Sequence, residues 1–166
     1  SSADQMLAIA YLDLDGFKEI NDRHGHETGD QFLIALSERL QAQLGEEELL
    51  ARIGGDEFVV LLPQLCNKKA GLAKIEQLLD VVAKPLKIDE WMLSVSASIG
   101  LTFYPQADTT EAEQLIRQAD HAMYQAKQDG KNRCHLFDTD YARSLRGHQE
   151  TIPVSYTHLR AHETRG

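Results

Sequence analysis

The chain has 166 residues, of which 42% are hydrophobic and 26% charged, a balance that supports one compact domain with a real core. The formal net charge of -9 argues against a nucleic-acid or anionic-membrane surface, so a phosphate site would have to rest on local cations and metal. No apolar stretch approaches the roughly 18 residues of a spanning helix, no signal peptide opens the chain, and Cys66 and Cys134 lack any Cys-x-x-Cys partner; two reduced thiols and a cytoplasmic setting are the expectation.

An apolar run over residues 6 to 13 is predicted as the first strand. It stops in Asp13 and Asp15, which we expect to point to opposite faces, so that only one of them shares a site with acids from a neighbouring strand. Asp15 to His24 reads as a short helix. A longer one should follow from about Gly29 to Leu44, with Phe32, Leu33, Leu36, Leu40 and Leu44 on one face and Thr28 with Gln31 capping its start.

Leu49 to Ile53 and Phe58 to Leu62 are short, apolar and partly β-branched, as two strands of a hairpin would be. Between them stand Gly54, Gly55, Asp56 and Glu57. Glycine reaches positive φ and has no side chain to hold a phosphate away from the backbone, so this turn would present its two acids at an exposed tip. A surface turn with solvated acids would read the same way. The second acidic strand end, Asp13 to Asp15, favours chemistry, because metal-assisted phosphoryl transfer needs carboxylates from different strands converging on cations.

Asn67 is predicted to cap a helix with Leu72, Ile75, Leu78, Leu79 and Val82 on one face, ended by Lys84-Pro85. Trp91 to Ser94 and Ala97 to Phe103 read as strands. Thr110 with Glu113 forms a second capping box for a helix that turns Leu115, Ile116, Ala119, Met123 and Ala126 inward and stops at Gly130. Strands that include a hairpin, interleaved with helices, predict an α+β fold with a mainly antiparallel sheet.

Several ordered motifs now combine: Asp13-Leu14-Asp15-Gly16-Phe17-Lys18-Glu19-Ile20-Asn21-Asp22, Gly25-His26, Gly29-Asp30, Arg52-Ile53-Gly54-Gly55-Asp56-Glu57-Phe58, Ser98-Ile99-Gly100, and Ala119 through Lys127. Together they resemble the GGDEF family of diguanylate cyclases, over about residues 6 to 138. The resemblance implies a ferredoxin-like, nucleotidyl-cyclase palm with a central, mainly antiparallel sheet flanked by helices. It also implies a GGDEF domain over 1–138, followed by a linker over 139–152. The family usually carries a helix and a turn reading roughly Asp-x-Leu-Thr-Gly-Leu-Pro-Asn-Arg before the first strand; none is seen here, so a fragment is expected. Residues 153–166 have no core pattern and are expected to be a non-native tail.

Site roles follow from the same resemblance. Asp13, the carbonyl of Leu14 and Asp56 would hold Mg²⁺ or Mn²⁺, and Asp56 or Glu57 would accept the proton of the attacking hydroxyl. Asn21 and Asp30 correspond to the guanine readers, since an amide can donate and accept and a carboxylate accepts from the base edge; His26 would close that pocket. A carboxylate in a first helical turn is also favourable without a ligand. Gly54, Gly55, the backbone of Phe17 and Lys18, and the side chains of Lys127 and Lys131 would meet the rest of GTP. Lysines near a helix end complement its dipole in any case, and Lys131 stands where the family commonly has arginine, without the bidentate fork. His24 and His26 make no convincing zinc pair.

The activity implied is condensation of two GTP into cyclic di-GMP and two pyrophosphates across a homodimer, with an upstream sensor domain, no nucleic acid and no direct membrane contact. The alternative is a GTP-binding regulatory module of a cyclic di-GMP phosphodiesterase, because the Asp13 to Lys18 wording and the Arg143 to Gln149 segment resemble tandem proteins with a downstream EAL domain. A purely structural domain is the third reading. Many cyclases of the family carry Arg-x-x-Asp shortly before the signature to bind product; Gly45-Glu46-Glu47-Glu48 occupies that spacing here and offers no arginine.

Overall fold

Met6–Asp15, rich in aliphatic residues, forms the central strand β1 of the computed structural model, which describes residues 5–138. Around it the main sheet runs in the order β2 (Leu49–Gly54), β3 (Glu57–Leu65), β1, β6 (Ser96–Tyr104), β7 (Arg133–Leu136). β1 is antiparallel to both of its neighbours, and β6 pairs with β7 in parallel. Helices α1 (Phe17–His24), α2 (His26–Gln41), α3 (Lys68–Ala83) and α4 (Ala112–Gln128) flank it. The fold is the expected α+β architecture. Among the described residues no helix is long and apolar enough to cross a membrane. The proposed linker 139–152, with Arg143 to Gln149, and the tail 153–166 lie outside the described residues.

The two faces of β1 follow from the period of two. Ala8, Ala10, Leu12 and Leu14 enter the main core with Phe58, Val60 and Leu62 of β3 and with Phe32, Leu36, Ile75 and Leu78 of α2 and α3. Ile9 and Tyr11 face the other way and pack with Leu115, Ala119 and Met123 of α4. Asp13 and Asp15 continue that second series. The expectation that they oppose one another is therefore corrected: residues two apart on a strand share a face, and both carboxylates reach Lys127 of α4, at 3.2 and 3.0 Å.

Helix boundaries also move. α1 begins at Phe17, after Gly16 at φ 92, rather than at Asp15. α2 starts at His26, three residues before the expected Gly29, because Gly25 at φ 92 breaks the chain between the helices; the Gly29 N–H then bonds Gly25 O at 3.1 Å, and Thr28 and Gln31 fall inside the helix. It ends at Gln41, with Leu44 packing on the core from the following turn. In α4 the Thr110 hydroxyl is occupied by Gln106 Oε1 and Asp108 O, so the cap passes to Glu111, whose N–H donates to Gln114 Oε1 at 3.1 Å. Ile116 is 40% exposed, and Ala122 is buried in its stead.

Other expectations hold. Asn67 caps α3 by accepting from Ala70 N at 2.8 Å, and Lys84 ends it. Trp91–Leu93 is a strand (β5), but it pairs with Leu86–Ile88 (β4) in a separate two-stranded sheet. β4 and β7, with three and four residues, are too short for a periodic signal and were not expected.

Gly100 sets how closely α4 approaches the sheet. A Cβ there would run into the Ala119 carbonyl and the Met123 amide of the helix backbone. Because backbone cannot yield as a flexible side chain does, Gly100→Ala should destabilise the fold by about 1–3 kcal/mol through overpacking. Urea unfolding monitored by circular dichroism measures this, and an unchanged midpoint would show that α4 is free to shift outward.

Candidate active site

The site begins where β1 ends. Asp13 stands opposite Glu57 of β3 and Ser98 of β6. The next residue, Leu14, donates its N–H to the main-chain oxygen of Asp56 at 3.1 Å, which fastens the Gly54 to Glu57 turn to the end of the central strand. Gly55 takes φ +30, and its carbonyl accepts from Arg52 Nε at 2.8 Å. Gly54 and Gly55 are exposed, as a hairpin tip should be. The acids are not: Asp56 is half-buried and Glu57 buried. This corrects the exposed acidic tip, and the cause is register, since Glu57 is already the first residue of β3 and faces α4 beside Asp13. The Tyr11 hydroxyl donates to Glu57 Oε1 at 2.8 Å.

Lys127 rises from α4 into this acidic end. Its Nζ lies 3.2 Å from Asp13 Oδ1, 3.0 Å from Asp15 Oδ1 and 3.4 Å from the Leu14 carbonyl oxygen. Asp15 also accepts from Ser96 Oγ and Ser98 Oγ at 2.8 Å each, and from Asn132 N at 3.1 Å. A cavity of about 320 Å³ opens beside these groups, lined by Asp13, Leu14, Asp15, Gly16, Phe17, Lys18, Glu19, Asp56, Tyr124, Lys127, Gln128 and Lys131. It sits at the N-terminus of α1, where main-chain N–H groups suit anions.

The carboxylates differ sharply. Burial pushes Asp13 up to about 7; Lys127 opposes that, while the charges of Asp56 and Glu57 add to it. Burial also raises Asp56, against a hydrogen bond from its own main chain and the pull of Lys127, with Glu57 and Asp15 reinforcing the rise. For Asp15 burial works the same way, yet the bonds from Ser96, Lys127 and Ser98 outweigh it and hold the group below the usual range. Burial disfavours the Lys127 ammonium, but Asp13 and Asp15 keep its pKa above the ordinary value.

The remaining candidates are spread around this centre. Lys18 is exposed and pairs with Asp22 at 3.1 Å; Phe17 lines the cavity but buries its ring against Phe32. Lys131 is exposed at φ 64 in the turn after α4. Asn21 of α1 packs on Gly29 of α2, where any Cβ would strike its Oδ1, and Asp30 is the next residue. Asp30 and His26 are exposed, and with Asn21, Gly54 and Gly55 they lie outside the lining of the cavity. Tyr11, Ser96, Tyr124 and Gln128 were given no site role from the sequence, and Asp15 was expected on the face opposite Asp13; a strict period of two from Ile9 to Asp15 would have put Tyr11, Asp13 and Asp15 on one face.

Asp13, Asp56 and the Leu14 carbonyl offer hard oxygen donors, which suit Mg²⁺ or Mn²⁺. Among the described residues no three acidic, histidine or cysteine side chains are gathered for one ion. Mg²⁺ is commonly bound by one or two carboxylates and completes its shell with water and substrate phosphate.

The family profile described as "Diguanylate cyclase, GGDEF domain" matches residues 1–133. The chain is 39% identical over 137 residues to the bifunctional diguanylate cyclase/cyclic di-GMP phosphodiesterase MucR of Pseudomonas aeruginosa, covering 82% of this chain and 20% of that protein. It is 38% identical over 148 residues to the diguanylate cyclase TpbB of the same species, covering 88% of this chain and 34% of TpbB. The crystal structure of the TpbB GGDEF domain superposes with a TM-score of 0.76 at 38% identity, covering 81% of this chain and 83% of that one. The chain thus spans about a fifth to a third of the two full-length relatives.

The raised Asp13 has a consequence for stability. As pH climbs from about 4 to 7 the unfolded chain sheds this proton before the folded protein does, so folding loses stability across that window. Asp13→Asn removes the loss. In EDTA, the variant should be more stable than the parent by about 1–3 kcal/mol at about pH 8 and nearly equal to it at about pH 4, as read from urea unfolding at both pH values.

Proposed function

The chain belongs to the GGDEF domain family, and from that membership we propose that it condenses two molecules of GTP into cyclic di-GMP, releasing two pyrophosphates. The observation that supports this reading most is the Leu14–Asp56 main-chain bond, which draws the signature turn against the end of β1 so that Asp13, Asp56 and Lys127 meet over one cavity. Acids from two strands beside a lysine and a helix N-terminus suit a nucleoside triphosphate and its counter-ion.

In the mechanism we infer, each domain binds one GTP and two domains face one another, so that each 3′-hydroxyl attacks the α-phosphate of the other nucleotide. The chain's own part is positioning and charge stabilisation. Asn21 and Asp30 read the guanine edge, with His26 closing over it; Gly54 and Gly55 let the nucleotide approach the backbone. The main chain at Phe17 and Lys18 and the side chains of Lys127 and Lys131 hold the phosphates. Asp56 or Glu57 takes the proton of the attacking hydroxyl. Asp13, Asp56 and the Leu14 carbonyl would hold Mg²⁺ or Mn²⁺, which when bound lowers the pKa of that hydroxyl and neutralises the phosphates. A single domain is half of such a site, so turnover requires a homodimer.

A second reading has a specific basis: MucR is a bifunctional cyclase and phosphodiesterase, and the chain matches only 20% of it. The domain would then bind GTP and regulate a neighbouring EAL domain, with a sensor upstream. Incubation with GTP and Mg²⁺ followed by separation of the nucleotides divides the readings: cyclic di-GMP supports the cyclase, bound but unchanged GTP supports the regulator, and absence of binding favours a structural domain.

Asp56→Asn should abolish product formation and leave folding intact, because it removes a charge at the reacting centre while nearly conserving volume. Product formed at the parent rate under saturating Mg²⁺ would show the centre to be misassigned. Base choice has its own test. Asn21→Ala combined with Asp30→Ala should weaken GTP far more than ATP, since each unsatisfied buried donor on guanine costs about 1–3 kcal/mol; equal losses for the two nucleotides in calorimetry would show that these residues do not read the base.

A further inference from the structure

Tyr11 lies on β1 two residues before Asp13 and is 2% exposed. Its ring fills the space among Ile9, Leu115, Ala119 and Met123, a task a phenylalanine would perform equally well. Packing alone therefore does not explain the oxygen. That oxygen donates to Glu57 Oε1 at 2.8 Å in a diagonal contact between strands, because Tyr11 stands opposite Val59 and Glu57 opposite Asp13.

Glu57 needs such an anchor. Asp13 lies opposite it and Asp56 precedes it in the chain, so three carboxylates are brought together at one strand end. A glutamate has three side-chain torsions, so repulsion alone would turn its carboxylate away from its neighbours. A buried hydroxyl donating from the α4 face holds it in the cluster.

We propose that Tyr11 is a positioning residue for the reaction: its phenol orients the Glu57 carboxylate beside Asp13 and Asp56, so that cation binding and proton acceptance start from a fixed arrangement. The inference rests on the reading of this cluster as a metal-dependent centre. Outer partners that hydrogen-bond the carboxylates of such centres typically contribute about 10–100-fold to metal affinity or activity.

Tyr11→Phe deletes one oxygen and conserves the packing. Mn²⁺ binding by electron paramagnetic resonance without nucleotide, which needs no turnover, should weaken about tenfold; kcat should fall to a similar degree, with the KM for GTP within about twofold of the parent. In a Glu57→Gln background the same substitution should change Mn²⁺ binding by less than about twofold, since the group it orients is already altered. If Glu57→Gln and Asp56→Asn both bind Mn²⁺ like the parent, the reading of the centre fails and the proposal with it. If those variants are impaired but Tyr11→Phe binds like the parent, or if its loss persists in full in the Glu57→Gln background, the centre stands and the role of Tyr11 is overturned.

Discussion

The carboxylate of Asp15 ties the site to the fold. It is 8% exposed and accepts from two serines of β6, from Lys127 of α4 and from the main chain of Asn132 after that helix. A buried charge is costly unless hydrogen bonds replace its water, and here they do so from three directions. The end of β1, the end of β6, the last turn of α4 and the turn carrying Lys131 are thereby held to one anchor. It adds to the direct Lys127–Asp13 pair and to the packing of α4 on Ile9 and Tyr11 in fixing Lys127 relative to Asp13.

That anchor also divides labour between neighbours of the same chemistry. Asp15 is held ionised by its donors and is committed to structure. Asp13, two residues earlier and more buried, lacks comparable donors and sits with Asp56 and Glu57, so its charge is poorly compensated. A cluster of unwilling anions gains most from an added cation, which is the usual trade of stability for function at such sites. Lys127 offsets part of that charge and lies within 3.4 Å of the Leu14 carbonyl, at the mouth of the cavity.

An overall charge of -9 would repel a triphosphate at long range. Screening limits that field to about 10 Å in ordinary salt, so local geometry dominates at contact. The helix start at Phe17 and the lysines at 127 and 131 make the cavity locally suitable for phosphate although the surface as a whole is acidic. By contrast, the Gly45 to Glu48 turn is closed by Glu48, which accepts from Gly45 N at 2.8 Å, and is tied to α3 by the Glu48–Lys74 pair at 3.5 Å.

Much of this could be read from the residues in order. Hydrophobic periodicity marks α2, α3 and α4, alternation and β-branching mark β1, β3 and β6, and the spacing of the Asp13, Gly54 and Ala119 motifs carries the family, because each depends on neighbours within a few positions. Contacts between distant segments were not legible. That Asp13 and Asp15 both meet Lys127, that Glu57 is buried against Tyr11, and that Asp15 is an anchor rather than a spare acid depend on strand register and on how closely α4 lies over Gly100. The short strands β4 and β7 likewise owe their form to partners in space. Local sequence determined which elements form and which side chains they carry; only tertiary packing decided which carboxylate is held by donors and which is buried with its charge poorly compensated, since those states arise from burial and from donors brought in from elsewhere in the chain.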